Sequence, residues 1–339
     1  MDEQKEEPQV EETHAESGWR AVLTPKKPEE QAESINFNQI GQTLELNEQN
    51  PPRPETIIAP LVSNMFDEED KPTLAGKVIA RVYRQLISRP DYTSPYQAQE
   101  VIELGKKSRQ AYTDCVKKAL TERWSRGDKR ITFGIDRKPR TDAFHFDGDT
   151  TPSKDHLFYF NKSTSHWKNP LHIIDRAYIT LSPQDIESIH QHFVDLCLQM
   201  YDAGIDFAAK CVSPNGLIKR LDNMVFYISA GDQPKASELI KIFLQERKLG
   251  EGHIDAATPS PQDGLSWAYE PNDKQRKIWR EVSGSSRKAS FNSLVATMAM
   301  PTYLERLAQA HERKGNREAT ETYRDEANRV KTIIEQLNE

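Results

Sequence analysis

Cysteine is scarce in this sequence: a chain of 339 residues holds three, at positions 115, 197 and 211. They are odd in number and widely spaced, so they match neither a disulfide framework nor a zinc-binding pattern. No apolar run approaches the ~18 residues that a membrane-spanning helix needs. The first residues, MDEQKEEPQVEE, reverse the basic-then-apolar order of a signal peptide. These absences predict a cytoplasmic protein with no membrane partner.

Familiar catalytic motifs are also missing. The sequence contains no GxxxxGK[ST], no GxGxxG after a strand, no GxSxG and no HExxH. His190 and His192 are close in sequence, but the i, i+2 spacing on a helix points them to different sides. The group around His145 in FHFDGD fits either a metal or phosphate site or a local turn network, and we favour the turn network. Cys211 lacks a recognisable triad partner and is interpreted as a buried thiol. We therefore predict no metal and no cofactor.

The net charge is -6 and the isoelectric point is about 5.9, which gives no overall electrostatic signature of a nucleic-acid partner. The hydrophobic fraction of 36% and mean hydropathy of -0.77 predict that part of the chain does not fold. Residues 1–54 carry 12 acidic and 5 basic residues with few aliphatics. We predict a mostly disordered acidic tail over 1–54, serving as a solubilising segment or as a docking or export signal.

Apolar residues recur every three or four positions from residue 74 to 89 and again from 96 to 124, which predicts two helices. We expect them to form a helical hairpin within a helical region at 55–128. The highly charged segment 301–339 has a similar helical pattern with a break near Gly315, and it predicts a C-terminal helical hairpin.

The segment 129–300 alternates strand-like and helical patterns. Strands are predicted in RITFGID, FHFDGD and HLFYFN and at 173–181, 204–212, 220–229 and 264–270. Helices are predicted from Ser182, an N-cap candidate, and at 234–247 and 290–300. The turn SPNG between two strands indicates a hairpin. The fold class is α+β, with a mixed, mainly antiparallel sheet and packed helices.

One lysine interrupts the apolar strand GIDFAAKCV. Because strands alternate faces, Lys210 shares a face with Ala208 and Val212. A hairpin loop of three or five residues would place Lys210 across from Arg220, whereas a two-residue turn would place it opposite Leu221. The first register sets two cations on a half-buried face, which favours a bound anion and the neutral amine that a general base needs. The alternative is a lysine that reaches solvent from a sheet edge.

Two further cations lie on or near predicted strands, Arg176 in DRAYITL and Arg287 in SSRKASFN. Each cation also has a purely structural interpretation. Arg220 can pair with Asp222, Arg176 can pair with Asp175, and Arg287 can be a solvated loop residue. The residues alone leave the anion site and these structural roles open.

The order of the segments RAYITLSP, GIDFAAKCV, RLDNMVFYIS, GLSWAYEP and RKASFN resembles the HopA-type effector family over residues 173–300. That family contains type III secretion effectors of plant pathogens and lyases of class V lanthipeptide pathways. The resemblance implies either export by a specialised secretion system or a role in lanthipeptide biosynthesis beside a separate kinase.

A more distant similarity extends to the phosphothreonine lyases of the OspF and SpvC type. It implies β-elimination of phosphate, in which Lys210 removes the Cα proton and arginines hold the leaving group, with no metal or cofactor. Arg176 falls on the family's first-strand cation, and Tyr178 replaces the histidine that would act as general acid. In this interpretation Arg176, Arg220 and Arg287 bind phosphate.

The function predicted from the sequence is therefore a phosphoserine or phosphothreonine lyase that acts on a peptide or protein and leaves a dehydroamino acid. Lys210 and Tyr178 are the candidate catalytic residues, and Asp222 orients Arg220. Two alternatives use the same fold without catalysis: an effector or interaction protein, and a domain that binds phosphopeptides.

Overall fold

The computed structural model describes residues 36–57, 65–66, 69–87, 98–148, 156–162, 174–181, 188–212, 220–249, 264–287 and 289–338. Helices of these residues are α1 (Phe37–Thr43), α2 (Leu74–Ile87), α3 (Ala98–Ser125), α4 (Ile189–Asp202), α5 (Gln233–Glu246), α6 (Asp273–Ser283), α7 (Phe291–Met298), α8 (Met300–Glu312) and α9 (Arg317–Asn338). Strands are β1 (Thr132–Phe133), β2 (Pro139–Arg140), β3 (Phe144–Gly148), β4 (His156–Lys162), β5 (Ile174–Ile179), β6 (Phe207–Val212), β7 (Met224–Ser229) and β8 (Leu265–Tyr269).

The main sheet has six strands in the order β3-β4-β6-β7-β5-β8, and each neighbouring pair is antiparallel. Strands β1 and β2 form a separate antiparallel ribbon. Helices pack on both faces of the main sheet. The predicted α+β class is confirmed, since antiparallel strands and helices share one fold.

Alternation along the strands divides the apolar side chains between the two faces. One face carries Phe207 and Phe226, which pack against α3, α4 and α5. The other carries Val225 and Ala268, which pack against α2 and the helices from α6 to α9. Lys210 also points to this second face, which we therefore call the lysine face. The sheet thus separates two cores, and the candidate site lies on the lysine face.

The predicted hairpin of the first two long helices is wrong. Val78 and Val82 of α2 are buried in the core of the lysine face, whereas Tyr112 and Leu120 of α3 are buried in the core of the opposite face. Each helix has one apolar stripe, and the two stripes pack against opposite faces of the sheet instead of against each other.

The predicted disordered tail is wrong for residues 36–54, while residues 1–35 lie outside the described part. Arg306 of α8 donates hydrogen bonds to the carbonyl oxygens of Gly41 and Leu44, at 2.9 and 2.7 Å. Tyr323 of α9 donates to the carbonyl oxygen of Pro52 at 2.7 Å. These side chains hold the segment against the C-terminal helices, so a composition typical of disorder is offset by specific contacts.

Two predicted features fall outside the described residues: the SPNG turn and the helix start at Ser182. Within the residues that the structure describes, no helix is long and apolar enough to cross a membrane.

Candidate active site

Strand pairing fixes the position of the lysine. Lys210 lies opposite Val225 of β7, so both predicted registers, with Arg220 or with Leu221, are wrong. The reason is the connection between the strands, since β7 begins only at residue 224. Leu221 is held outside the ladder, where its amide donates a 2.8 Å hydrogen bond to the carbonyl oxygen of Ile87.

Directly paired residues of a sheet share a face, and this rule assembles the site. Val225 lies between Lys210 on one side and Tyr178 of β5 on the other. In the next row, Tyr227 of β7 lies opposite Arg176. Four polar side chains from three neighbouring strands therefore point from the lysine face: Lys210, Tyr178, Arg176 and Tyr227.

Tyr227 lies between the two cations. The Arg176 Cζ atom is 4.9 Å from the centroid of its ring, and the Lys210 Nζ atom is 5.8 Å from it. The positive charge of the Lys210 amine also acts on the Tyr227 hydroxyl. Burial raises the pKa of that hydroxyl, but Lys210 and Arg176 outweigh it, and the pKa of Tyr227 lies below its ordinary value. The site thus contains a phenol with increased acidity near an amine.

Glu270, one residue after β8, is the ionic partner of Arg176. Both Nε and Nη2 of Arg176 contact Oε1 of Glu270. Nη2 of Arg276, on α6, lies 3.9 Å from the other carboxylate oxygen. Burial lowers the pKa of Arg176, but Tyr178, Tyr227 and Glu270 more than offset it and raise the pKa. Arg176 therefore stays charged while its guanidinium is held by a carboxylate.

The alternative pairing of Arg176 with Asp175 is wrong. Adjacent strand residues point to opposite faces, and the Asp175 carboxyl, 3% exposed, lies on the side away from Arg176. One of its oxygens is buried and accepts no hydrogen bond. Burial without a compensating partner raises the pKa of Asp175 to about 7.

The carboxyl of Asp175 predicts a pH-dependent stability. Its folded pKa is raised above the unfolded value of about 3.9, so the native state retains a proton that the unfolded state has lost. The contribution of this group to the free energy of unfolding is fully present below about pH 4 and falls as the pH rises to about 7. Between pH 5 and pH 7 this group lowers it by about 2 kcal/mol. Urea unfolding of the Asp175→Asn variant should show a flatter pH profile over that interval. Asp273→Asn, at a fully exposed position, is the matched control and should retain the wild-type slope; an unchanged slope in Asp175→Asn would contradict the assignment.

Tyr178 is more buried than Tyr227. It is 3% exposed and belongs to the core of the lysine face with Val225 and Ala268. Tyr227 is only half-buried. A proton donor has to reach the leaving group, and Tyr227 is better exposed for that role. The role of Tyr178 as general acid stays a prediction.

Arg220 and Asp222 form a two-pronged ion pair just before β7. Nε and Nη2 of Arg220 donate to the two carboxylate oxygens of Asp222, each at 2.8 Å. The Asp222 side chain is 4% exposed and that of Arg220 is 11% exposed. The carboxylate therefore fixes the plane of the guanidinium. This contact fits both the structural pair and the predicted orienting role.

Arg287 is anchored through its backbone. Its amide donates to the hydroxyl oxygen of Ser285 at 3.1 Å, and its carbonyl oxygen accepts from Trp279 Nε1 at 3.1 Å. Trp279 is buried in the same core as Tyr178. The backbone of Arg287 thus lies on the side of the lysine face, and its phosphate-binding role stays a prediction.

Two rival chemistries gain no support from the geometry. Cys211 is fully buried, and burial raises the pKa of its thiol well above the ordinary value, which opposes nucleophilic use. In the described part of the chain, no three His, Cys, Asp or Glu side chains lie close enough together to hold a metal ion.

Sequence reasoning missed Tyr227, Glu270 and Arg276. The alternation of β7 contained a signal for Tyr227, since it is two residues from Val225 and points to the same face. Glu270 and Arg276 had no comparable signal, because their proximity to Arg176 depends on β8 pairing with β5 across a long connection.

Comparisons with solved structures return weak similarities to bacterial effector proteins. No family model and no curated protein matches the sequence. An effector protein from Pseudomonas syringae pv. tomato strain DC3000 is 14% identical, with 85% of this chain and 96% of that chain covered and a TM-score of 0.43. An effector from Pseudomonas syringae pv. syringae strain 61 is 14% identical, with 85% and 95% covered and a TM-score of 0.40.

The type III effector and phosphothreonine lyase OspF from Shigella flexneri is 15% identical, with 65% of this chain and 96% of that chain covered and a TM-score of 0.31. Identities and TM-scores this low carry no argument about the role of this chain.

Proposed function

We propose that this protein is a phosphoserine or phosphothreonine lyase that eliminates phosphate from a peptide or protein. One observation supports this proposal above the others: Lys210 projects from the middle of a sheet, beside the ring of Tyr227, which also contacts Arg176. A primary amine, a proton carrier and fixed positive charge are the groups that β-elimination of phosphate requires.

The proposed reaction begins with the neutral amine of Lys210. An amine accepts a proton only after its ammonium form has released one, and the adjacent Tyr227 oxygen is the acceptor when it is ionised. The amine then removes the Cα proton of the phosphorylated residue. The electron pair of that C–H bond forms the Cα=Cβ double bond, and the Cβ–O bond breaks with its pair remaining on phosphate.

The departing phosphate then takes the proton of the Tyr227 hydroxyl. Lys210, now an ammonium, returns its own proton to the Tyr227 oxygen, which restores the starting state. The net change moves one proton from Cα to phosphate and leaves a dehydroamino acid. No proton is gained or lost by the protein over the cycle.

Positive charge stabilises the leaving phosphate in this proposal. Arg220, fixed in orientation by Asp222, and Arg287 are the proposed phosphate ligands. Arg176 contributes its charge at close range, but Glu270 already occupies two of its nitrogens. A separate kinase would supply the phosphorylated substrate.

The direct test is incubation with a library of phosphothreonine and phosphoserine peptides, followed by mass spectrometry. A lyase lowers the mass of each modified site by the mass of phosphoric acid. A phosphatase restores the hydroxyl, so it lowers the mass by that of phosphoric acid minus one water. An added thiol also reacts with a dehydroamino acid, by addition to its double bond. Absence of elimination across the library, or hydrolysis to the free hydroxyl, would reject the proposal.

Replacing Tyr227 by phenylalanine tests the proton carrier. The variant keeps the ring between Arg176 and Lys210 but removes the acidified hydroxyl, so we expect kcat to fall by about 10²-fold. Because the ionised Tyr227 oxygen accepts the lysine proton in this mechanism, the pH–rate profile of the variant should also shift to higher pH. Tyr178→Phe is the matched control and should retain most activity. The opposite ranking of the two variants would return the acid role to Tyr178.

A phosphopeptide-binding domain without turnover is the second candidate, and the ion pair of Arg176 with Glu270 favours it. A cation neutralised by a carboxylate binds anions but stabilises developing charge less. Thermal stabilisation by phosphopeptides without elimination would select this candidate.

A further inference from the structure

Large apolar side chains are exposed together at the C-terminal end of α3 and on the β1–β2 ribbon. Trp124 is 53% exposed, Phe133 is 40% exposed and Ile135, at the tip of the ribbon, is fully exposed. The rings of Trp124 and Phe133 are in edge-to-face contact, with centroids 5.0 Å apart. Elsewhere in the described part of the chain, Ile242 is the one other large apolar side chain exposed to this degree. Clustering of such side chains marks a surface for a partner.

The same segment is strongly basic in a protein whose net charge is -6. Residues 122–140 contain seven Lys or Arg and three Asp or Glu. Four of these cations form ion pairs with Asp128, Asp136 or Asp202. Arg126, Lys129 and Arg137 make no ion pair with any residue that the structure describes, and all three are exposed. We call the three apolar and three unpaired basic residues the Trp124 patch.

An open cavity of about 510 Å³ adjoins the patch, and Arg126, Lys129 and Arg130 line it. Carboxylates of Asp128 and Asp202 lie in the same wall. The positive charges therefore lie at separate positions beside a cavity that can receive a side chain. A lipid bilayer presents no projecting groups of this spacing, whereas an extended peptide presents a side chain at every second residue on each side.

We propose that the Trp124 patch is a docking site for an acidic peptide segment that carries interspersed apolar side chains. Glutamate or aspartate side chains of the segment contact Arg126, Lys129 and Arg137. Its apolar side chains cover Trp124, Phe133 and Ile135. The assignment stands on charge complementarity and exposed apolar surface, and it does not depend on the chemistry at Lys210.

Fluorescence anisotropy with the full-length protein tests the proposal. The probe is a fluorescein-labelled synthetic peptide in which glutamate alternates with leucine and phenylalanine. We expect saturable binding that weakens about tenfold between 50 and 500 mM NaCl, because exposed charges are screened. The same peptide with lysine in place of glutamate should not bind. Equal binding of both peptides would overturn the proposal.

Surface variants then locate the binding. The double variant Arg126→Glu and Lys129→Glu should weaken binding by more than tenfold, and Ile135→Ser should weaken it several-fold, both with unchanged thermal unfolding. Lys274→Glu and Ile242→Ser are matched exposed controls and should bind like wild type. If the patch variants bind like the controls, the peptide docks elsewhere and the proposal is wrong. Sedimentation with phosphatidylserine vesicles, or binding of a single-stranded oligonucleotide, in preference to the acidic peptide would also overturn it.

Discussion

Replacing Lys210 by alanine is expected to lower phosphate elimination by about 10³-fold or more. In the proposed mechanism the amine accepts the Cα proton and exchanges protons with Tyr227, whose ring it lies beside. Truncation removes the base and leaves a water molecule to act in its place. The single-turnover rate on a phosphothreonine peptide, followed by mass, gives the measurement.

Two further variants separate the base from the charge. Lys210→Arg keeps a cation near the Tyr227 ring, yet arginine remains protonated and cannot act as a base, so we expect it to be as inactive as Lys210→Ala. Lys277→Ala removes an exposed lysine of α6 and should retain full activity. Thermal unfolding checks that each variant is folded. Full activity of Lys210→Ala would end the lyase assignment.

Local patterns in the sequence were sufficient to predict the strands of the site. The alternation of β6 placed Lys210 with Ala208 on a common face, and the pairing of the sheet preserves this face. A lysine within an apolar strand was enough to indicate the candidate site. These features depend on period-two geometry, which neighbouring residues determine.

Long-range contacts of the site could not be predicted in the same way. The register of β6 on β7 depends on a connection that is longer than a hairpin turn, so Lys210 meets Val225 instead of Arg220. The partner of Arg176 comes from the end of β8, which is remote in sequence but adjacent to β5 in the sheet. Side-chain neighbours that result from strand order have no periodic signature in the sequence.

In the N-terminal segment, too, a local property of the sequence did not predict the long-range contacts. Composition alone predicted disorder through residue 54, but the carbonyl groups of Gly41, Leu44 and Pro52 accept hydrogen bonds from α8 and α9. Composition measures how much apolar surface a segment can bury by itself. It does not measure the donors that other parts of the fold supply.

Replacing Asp222 by alanine is expected to lower the free energy of unfolding by about 3 kcal/mol and to reduce elimination strongly. The pair with Arg220 is almost fully buried, so removing the carboxylate leaves a guanidinium charge in a site of low solvent access. Urea unfolding at constant pH gives the stability, and the phosphopeptide assay gives the activity. Asp195→Ala, which removes the partner of Arg247 at a more exposed ion pair, is the control and should cost about 1 kcal/mol or less.

A double variant distinguishes the structural role of this ion pair from the functional one. Replacing both residues, Arg220→Met with Asp222→Leu, removes the unpaired charge as well as the pair, and apolar replacement of a buried ion pair is often neutral or stabilising. We therefore expect the double variant to regain most of the stability lost in Asp222→Ala. If Arg220 binds the leaving phosphate, activity should stay low in this stable protein, because the guanidinium is absent. Recovery of activity together with stability would show that the pair only maintains the fold, and the phosphate-binding role of Arg220 would be wrong.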